Sequence, residues 1–148
     1  IWAVVKAGQP LQKLYYQICS GLLGRLCFSG EPDALSAAQW TVMDAGTAFY
    51  AKAAPIIDHG VSQRFSSRIV SYRAPKGWQA VVRRGETQTL VVVHTFGAAP
   101  EAVTLPMGGK IAAQFMREGL TVTHLDDQLT VHGLTDFDAA AFILENEV

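Results

Sequence analysis

Apolar residues change their period near residue 60, and that change divides the chain. Ile1-Trp2-Ala3-Val4-Val5 is an unbroken apolar run that predicts a strand, followed by a polar loop from Lys6 to Pro10. Leu11, Leu14, Tyr15, Ile18, Cys19 and Leu22 then recur at i, i+3, i+4, i+7, i+8 and i+11, one face of a helix. Pro10 suits the first turn of that helix, and Gly24 is expected to end it. Leu26-Cys27-Phe28 reads as a short strand and Ser29-Gly30-Glu31-Pro32-Asp33 as a loop. Ser36 and Gln39 have the spacing of a capping box, so a second helix starts there. Leu35 and Trp40 are placed to form a hydrophobic staple. Trp40, Met43, Thr47 and Tyr50 predict the inward stripe, with Val42 and Phe49 beside it. Pro55 is expected to bend or end the helix, with Gly60 closing the segment.

Beyond Gly60 the period falls to that of strands. Ser67–Tyr72, Trp78–Arg83, Gln88–Phe96, Ala102–Leu105, Ile111–Phe115, Leu120–His124, Leu129–His132 and Ala139–Leu144 are the predicted strands. Turn signals such as Arg84-Gly85-Glu86 and Asp126-Asp127 separate them. Residues 1–60 therefore read strand–helix–strand–helix, the grammar of a parallel sheet, and residues 61–148 read as an antiparallel sandwich. Two strands and two helices do not cover both faces of a parallel sheet. A complete α/β barrel needs about 250 residues, whereas this chain has 148. The strand at Leu26-Cys27-Phe28 thus has the look of a barrel strand separated from its neighbours. The opening on an apolar strand without an initiator Met leads to the same expectation, a cut chain.

Composition narrows the chemistry. A net charge of −1 provides no basic footprint for nucleic acid, and no apolar run has the length of a membrane span. Cys19 and Cys27 lie in apolar surroundings without metal-ligand spacing, which points to free thiols and a cytoplasmic, reducing setting. A bridge between them stays open at this point. No cofactor or metal is expected. His94 shares a strand face with Leu90, Val92 and Phe96 and reads as a hydrogen-bonded sheet residue. His124 and His132 flank the Asp126-Asp127 turn as candidate cross-strand neighbours, and His59 as a cap of the second helix. Turn and strand-entry roles account for Asp126, Asp127, Asp136 and Asp138. Glu31 and Asp33 follow the Leu26-Cys27-Phe28 strand, at the edge where parallel sheets carry function. The aromatics Trp78, Phe96, Phe115 and Phe142 fall among alternating apolar positions and read as core.

"GLLGRLCFSGEPDALSAAQW" and "FYAKAAPIIDHG" resemble the end of the catalytic barrel in glycoside hydrolase family 36, the α-galactosidase group. "GWQAVVRRGETQTLVVVHTF" and "FDAAAFILE" are similar to the C-terminal β domain of such enzymes. The resemblance implies an α+β fragment: the last βαβα portion of a (β/α)8 barrel over residues 1–60, then an antiparallel β-sandwich over 61–148. It implies a parent enzyme that hydrolyses terminal α-galactosides with retention, using aspartates in W-D and S-D-D motifs. Neither motif occurs here, so the catalytic pair is expected upstream and the chain alone is expected to be inert. Cys27, Phe28, Ser29 and Gly30 would be its substrate-binding contribution. Its partners would be the rest of its own barrel, the sugar and, through an apolar face left open, a second copy. A different class remains alongside: a non-catalytic carbohydrate-binding or structural β module with a helical arm and an exposed Trp78.

Overall fold

A computed structural model describes residues 1–146. Strand β1 (Trp2–Val5) leads into helix α1 (Leu11–Gly21), strand β2 (Cys27–Gly30), a short 3-10 turn (Pro32–Ala34) and helix α2 (Ala37–His59). Eight strands follow: β3 (Val61–Ser66), β4 (Trp78–Arg84), β5 (Gln88–Thr95), β6 (Ala102–Pro106), β7 (Lys110–Met116), β8 (Thr121–Leu125), β9 (Gln128–His132) and β10 (Ala139–Glu145). β1 and β2 pair in parallel, with Trp2 opposite Cys27 and Val4 opposite Ser29. The other strands form a five-stranded antiparallel sheet, β3-β4-β5-β10-β7, and a three-stranded one, β6-β9-β8. The protein is thus mixed α+β, and its two antiparallel sheets are compatible with a β-sandwich.

These pieces stack in layers around two cores. The first core joins Leu14, Ile18, Met43 and Phe49 of the helices to Leu90, Val92, Ala141 and Ile143 of the large sheet, and reaches Val5 of β1. The second fills the space between the two antiparallel sheets with Val82, Val91, Phe142, Leu105, Leu129 and Val131. β5 and β10 are therefore apolar on both faces, which is why they read as continuous apolar runs rather than alternations. Phe115 and Phe142 are buried, as expected, and Trp78 packs half-buried against the second core.

Several sequence expectations change. The first strand of the β region is Val61–Ser66, not Ser67–Tyr72. It is a solvent-exposed edge strand held by pairing with β4, so burial left no alternation to read. Val70 and Tyr72, which suggested the later strand, are exposed. The buried stripe of α2 is Gln39, Val42, Met43, Gly46, Phe49, Ala53 and Ile56; Trp40 and Thr47 face solvent. Gly46 decides this. A Cβ there would lie 2.8 Å from Ile18 Cγ2, so α1 and α2 meet where α2 has no side chain. Leu35 packs against the first core while Trp40 is exposed. α2 runs through Pro55 to His59, and Gly60 caps it in an extended conformation. α1 stops at Gly21 through short i→i+3 hydrogen bonds, and Gly24 does not take the left-handed form. β2 begins at Cys27, one residue after the predicted start. The capping box of Ser36 and Gln39 forms as predicted.

Candidate functional site at the open ends of β1 and β2

The parallel pair and the loops that follow its strands make the site the sequence singled out. Side chains alternate across β1: Ala3 and Val5 are buried, while Trp2 is 70% and Val4 41% exposed. Register places Cys27 and Ser29 beside Trp2 and Val4 on the outer face. Phe28 takes the opposite face and packs against the first core. Gly30 (φ +106) would drive a Cβ into the Val5 carbonyl oxygen, so the close approach it permits is to β1's own backbone. Ser29 and Cys27 are thus the two predicted site residues that share the open face, with Trp2 and Val4 as neighbours.

Glutamines hold the loops in place, and sequence reading missed all but one. Gln39, buried at the start of α2, accepts from the Ser36 N–H at 3.0 Å through Oε1. Its Nε2 donates to the Lys6 carbonyl at 3.0 Å and the Gln9 carbonyl at 3.5 Å. One residue so caps its own helix and ties down the loop after β1. Gln9 donates to Gln17 Oε1 at 3.2 Å, and Gln17 donates to the Val4 carbonyl at 3.0 Å. Gln9 Oε1 is buried without a partner. Only the capping-box spacing of Gln39 was a signal; neutral amides leave no other trace in charge or hydropathy.

Glu31 and Asp33 are exposed beyond β2, and no hydrogen bond holds either side chain among the described residues. Retaining glycoside hydrolysis needs two carboxylates fixed about 5 Å apart, and nothing in this loop fixes such a pair. The one buried carboxylate among the described residues, Asp138, is elsewhere. It is fully buried and accepts from Arg117 at 2.6 Å, from the Thr135 N–H at 3.2 Å and from the Ala139 N–H at 3.2 Å. Arg117 also donates to the Gly133 carbonyl, so this pair fixes the turn into β10. Asp136 accepts from the Ala99 N–H.

The histidines sort by position. His94 is buried with Nε2 3.1 Å from Ser20 Oγ, as a sheet residue satisfied by hydrogen bonding, and burial lowers its pKa to about 4. His124 pairs with Leu129, and His132 with Thr121, so they are not the cross-strand neighbours expected. The turn takes two residues, Asp126 and Asp127, both at positive φ, which offsets the two positions. His59 is exposed in the last turn of α2. Cys19 and Cys27 are free thiols, and burial pushes the Cys19 thiol up. Among the described residues no cluster of His, Cys, Asp and Glu has metal-binding geometry, and no helix is long and apolar enough to cross a membrane.

No protein-family model matches the chain, and no curated protein sequence matches it. In fold the chain is similar to an α-amylase from Anoxybacillus, described as representing a new glycosyl hydrolase subclass. The TM-score is 0.54 at 14% identity, over 95% of this chain and 34% of that one. This chain therefore spans about a third of the solved structure it matches, and the likeness is one of fold, to a glycoside hydrolase.

Proposed function

We propose that the chain is the C-terminal part of a retaining glycoside hydrolase, in which it supports and borders the sugar site while upstream chain supplies the catalytic carboxylates. The fold likeness over nearly the whole chain to about a third of a glycoside hydrolase is the observation that supports this reading most. The open face agrees with it. Ser29 is a small hydroxyl opposite Val4 and on the same face as Cys27, able to donate to or accept from a sugar hydroxyl. Phe28 and Gly30 shape that rim from behind, one by packing and one by admitting the Val5 backbone. The amides of Gln39, Gln17 and Gln9 keep the adjoining loops still. The sugar is a terminal α-galactoside, on the sequence resemblance; the alternative is an α-glucan, the kind of substrate an amylase such as the fold neighbour would take. The two free thiols suit a cytoplasmic setting. A purely binding β module is less well supported, since Trp78 packs against the second core rather than standing free.

The test compares the purified 148-residue chain with the protein translated from its complete reading frame, on chromogenic α-galactosides and on maltooligosaccharides. The short chain is expected to release no sugar. The long one is expected to turn over the galactoside, and Ser29→Val in it to raise KM several-fold with a smaller change in kcat. Turnover of the glucan alone replaces the sugar assignment. Turnover by the short chain, or none by the long chain on either, ends the proposal.

A further inference from the structure

Six of the chain's twelve Lys and Arg residues lie between Asp58 and Glu86, a stretch with no Asp or Glu of its own, so a net charge of −1 conceals a basic segment. Arg83 and Arg84 are already engaged. Arg83 donates to Ser62 Oγ at 2.8 Å and to the Ile57 carbonyl at 2.7 Å, and Arg84 donates to Gln63 Oε1 at 3.0 Å. Arg64, Arg68, Arg73 and Lys76 are exposed, and among the described residues no hydrogen bond or ion pair engages their side chains. The three most exposed large apolar side chains of the described residues lie in the same segment: Val70 at 83%, Tyr72 at 77% and Val61 at 76%. β3 forms the first part of the segment and is an edge of the large sheet. Ser67 donates to the Trp78 carbonyl at 3.1 Å and so belongs to a hydrogen-bonded pair. Such pairs alternate along an antiparallel ladder, which turns the N–H and carbonyl groups of Ser62, Arg64 and Ser66 outward to the open edge. Side chains alternate too. Phe65 packs against the second core and shares its face with Gln63 and Val61, whereas Arg64 stands with Ser62 and Ser66 on the opposite face.

We propose that the open edge of β3, with the basic loop that continues it, binds an extended acidic segment of another protein, which adds to the sheet as a further strand. Two properties select this occupant. The edge presents donors and acceptors in alternation, and a polypeptide backbone answers both. Phosphates answer only the donors, so a nucleic acid backbone leaves the carbonyls of Ser62, Arg64 and Ser66 unmatched. One exposed aromatic, Tyr72, is no stacking platform for successive bases. A second copy of this chain matches the backbone but not the charge. Pairing two β3 edges brings two basic segments together, with no carboxylate between Asp58 and Glu86 on either to offset them. The same geometry states the partner's pattern. Directly opposite residues of paired strands share a face, so a carboxylate belongs opposite Arg64 and apolar side chains belong beside Val61 and Phe65. Past the strand, Arg68 and Arg73 call for further carboxylates, and Val70 and Tyr72 for apolar contacts. Neither β1 nor β2 contributes to this surface, and the inference rests on no part of the proposed reaction.

Fluorescence anisotropy of a labelled peptide of alternating Glu and Val, titrated with the 148-residue chain at low salt, tests it. The peptide is expected to bind, and Arg64→Glu to weaken binding at least about tenfold. Hydrogen exchange on the unaltered chain needs no variant: saturating peptide is expected to slow the Ser62, Arg64 and Ser66 amides at least about tenfold. No binding overturns the inference, as does unchanged affinity in Arg64→Glu or equal binding of a peptide of alternating Lys and Val. Equal binding of alternating Glu and Pro, which keeps the charge but lacks the ladder donors, reduces the affinity to charge alone and overturns it. Tighter binding of oligothymidylate assigns the segment to single-stranded nucleic acid and overturns it. Slowing of the same amides without peptide, rising with the chain's own concentration, gives the edge to a second copy and overturns it too.

Discussion

β10 and β1 are both continuous apolar strands, yet they end in opposite circumstances. β10 is buried from Ala139 to Leu144, with the helices over one face and the small sheet over the other. β1 is covered on one face by the first core, and its other face and one edge meet solvent. An unbroken apolar run states only that both faces of a strand require cover. Whether the same chain provides it is a matter of topology. β10 finds that cover in α1, α2 and the small sheet, whereas β1 keeps one face and one edge in solvent.

The entry to β10 is where self-sufficiency can be broken most sharply. Asp138→Ala removes the acceptor that Arg117, the Thr135 N–H and the Ala139 N–H share inside the protein. Leaving one member of a buried ion pair unanswered costs about 3–5 kcal/mol. Arg117 is one-fifth exposed and recovers a little of this from water. Urea unfolding is expected to show a loss of about 3 kcal/mol. A loss below about 1 kcal/mol, the level of an ordinary point substitution, would mean the turn is held by its backbone bonds alone.

The seam between helices and large sheet is sensitive to pH through His94. Its pKa falls from 6.5 to about 4 because burial disfavours the charged ring, although a hydrogen bond with the Tyr16 backbone opposes the shift. The unfolded chain therefore binds this proton first. The stabilisation is complete above about pH 6.5 and is lost as pH falls toward 4, by on the order of 2–3 kcal/mol. Carboxylates titrate in the lower part of this window, so the readout is the difference in slope between the protein and His94→Gln. The variant is expected to lack the part of the decline that lies between about pH 6.5 and 5. Parallel curves would mean that water reaches the ring.

The legible parts of this molecule are those where one element buries a face against its own neighbours. α1, the capping box at Ser36 and the strands from Trp78 onward were readable because period, caps and turns all agree there. β3 was not, since an edge strand is held by backbone bonds and needs no apolar face. The inward face of α2 was misplaced because Gly46 and Ala53 mark it by being small, whereas the reading followed bulk. Asp138 was read as structural, but its bond to Arg117 crosses 21 residues and no local pattern signals it. At the candidate site, the strand pair and the position of Ser29 were within reach. The division of Cys27 and Ser29 from Phe28 and Gly30 follows from pairing register, which becomes visible only once β1 and β2 lie side by side.

The smallest effect separates adjacent positions on β1. Val5 is wholly buried in the first core, and Val5→Ala removes the equivalent of two methylenes, about 2 kcal/mol with the cavity included. Trp2 carries a far larger ring but leaves 70% of itself in water. Trp2→Ser in the 148-residue chain is expected to stay within about 0.5 kcal/mol, as exposed sites do. The order, valine above tryptophan, reverses what size alone suggests and follows from which face this chain can cover. A loss above about 2 kcal/mol for Trp2→Ser, on the scale of a core truncation, would mean that the short chain already buries the ring. Sedimentation of that sample would then separate a second copy from a folded-back loop. Trp2 fluorescence supplies an independent check: the ring is expected to be quenched freely by iodide in the 148-residue chain.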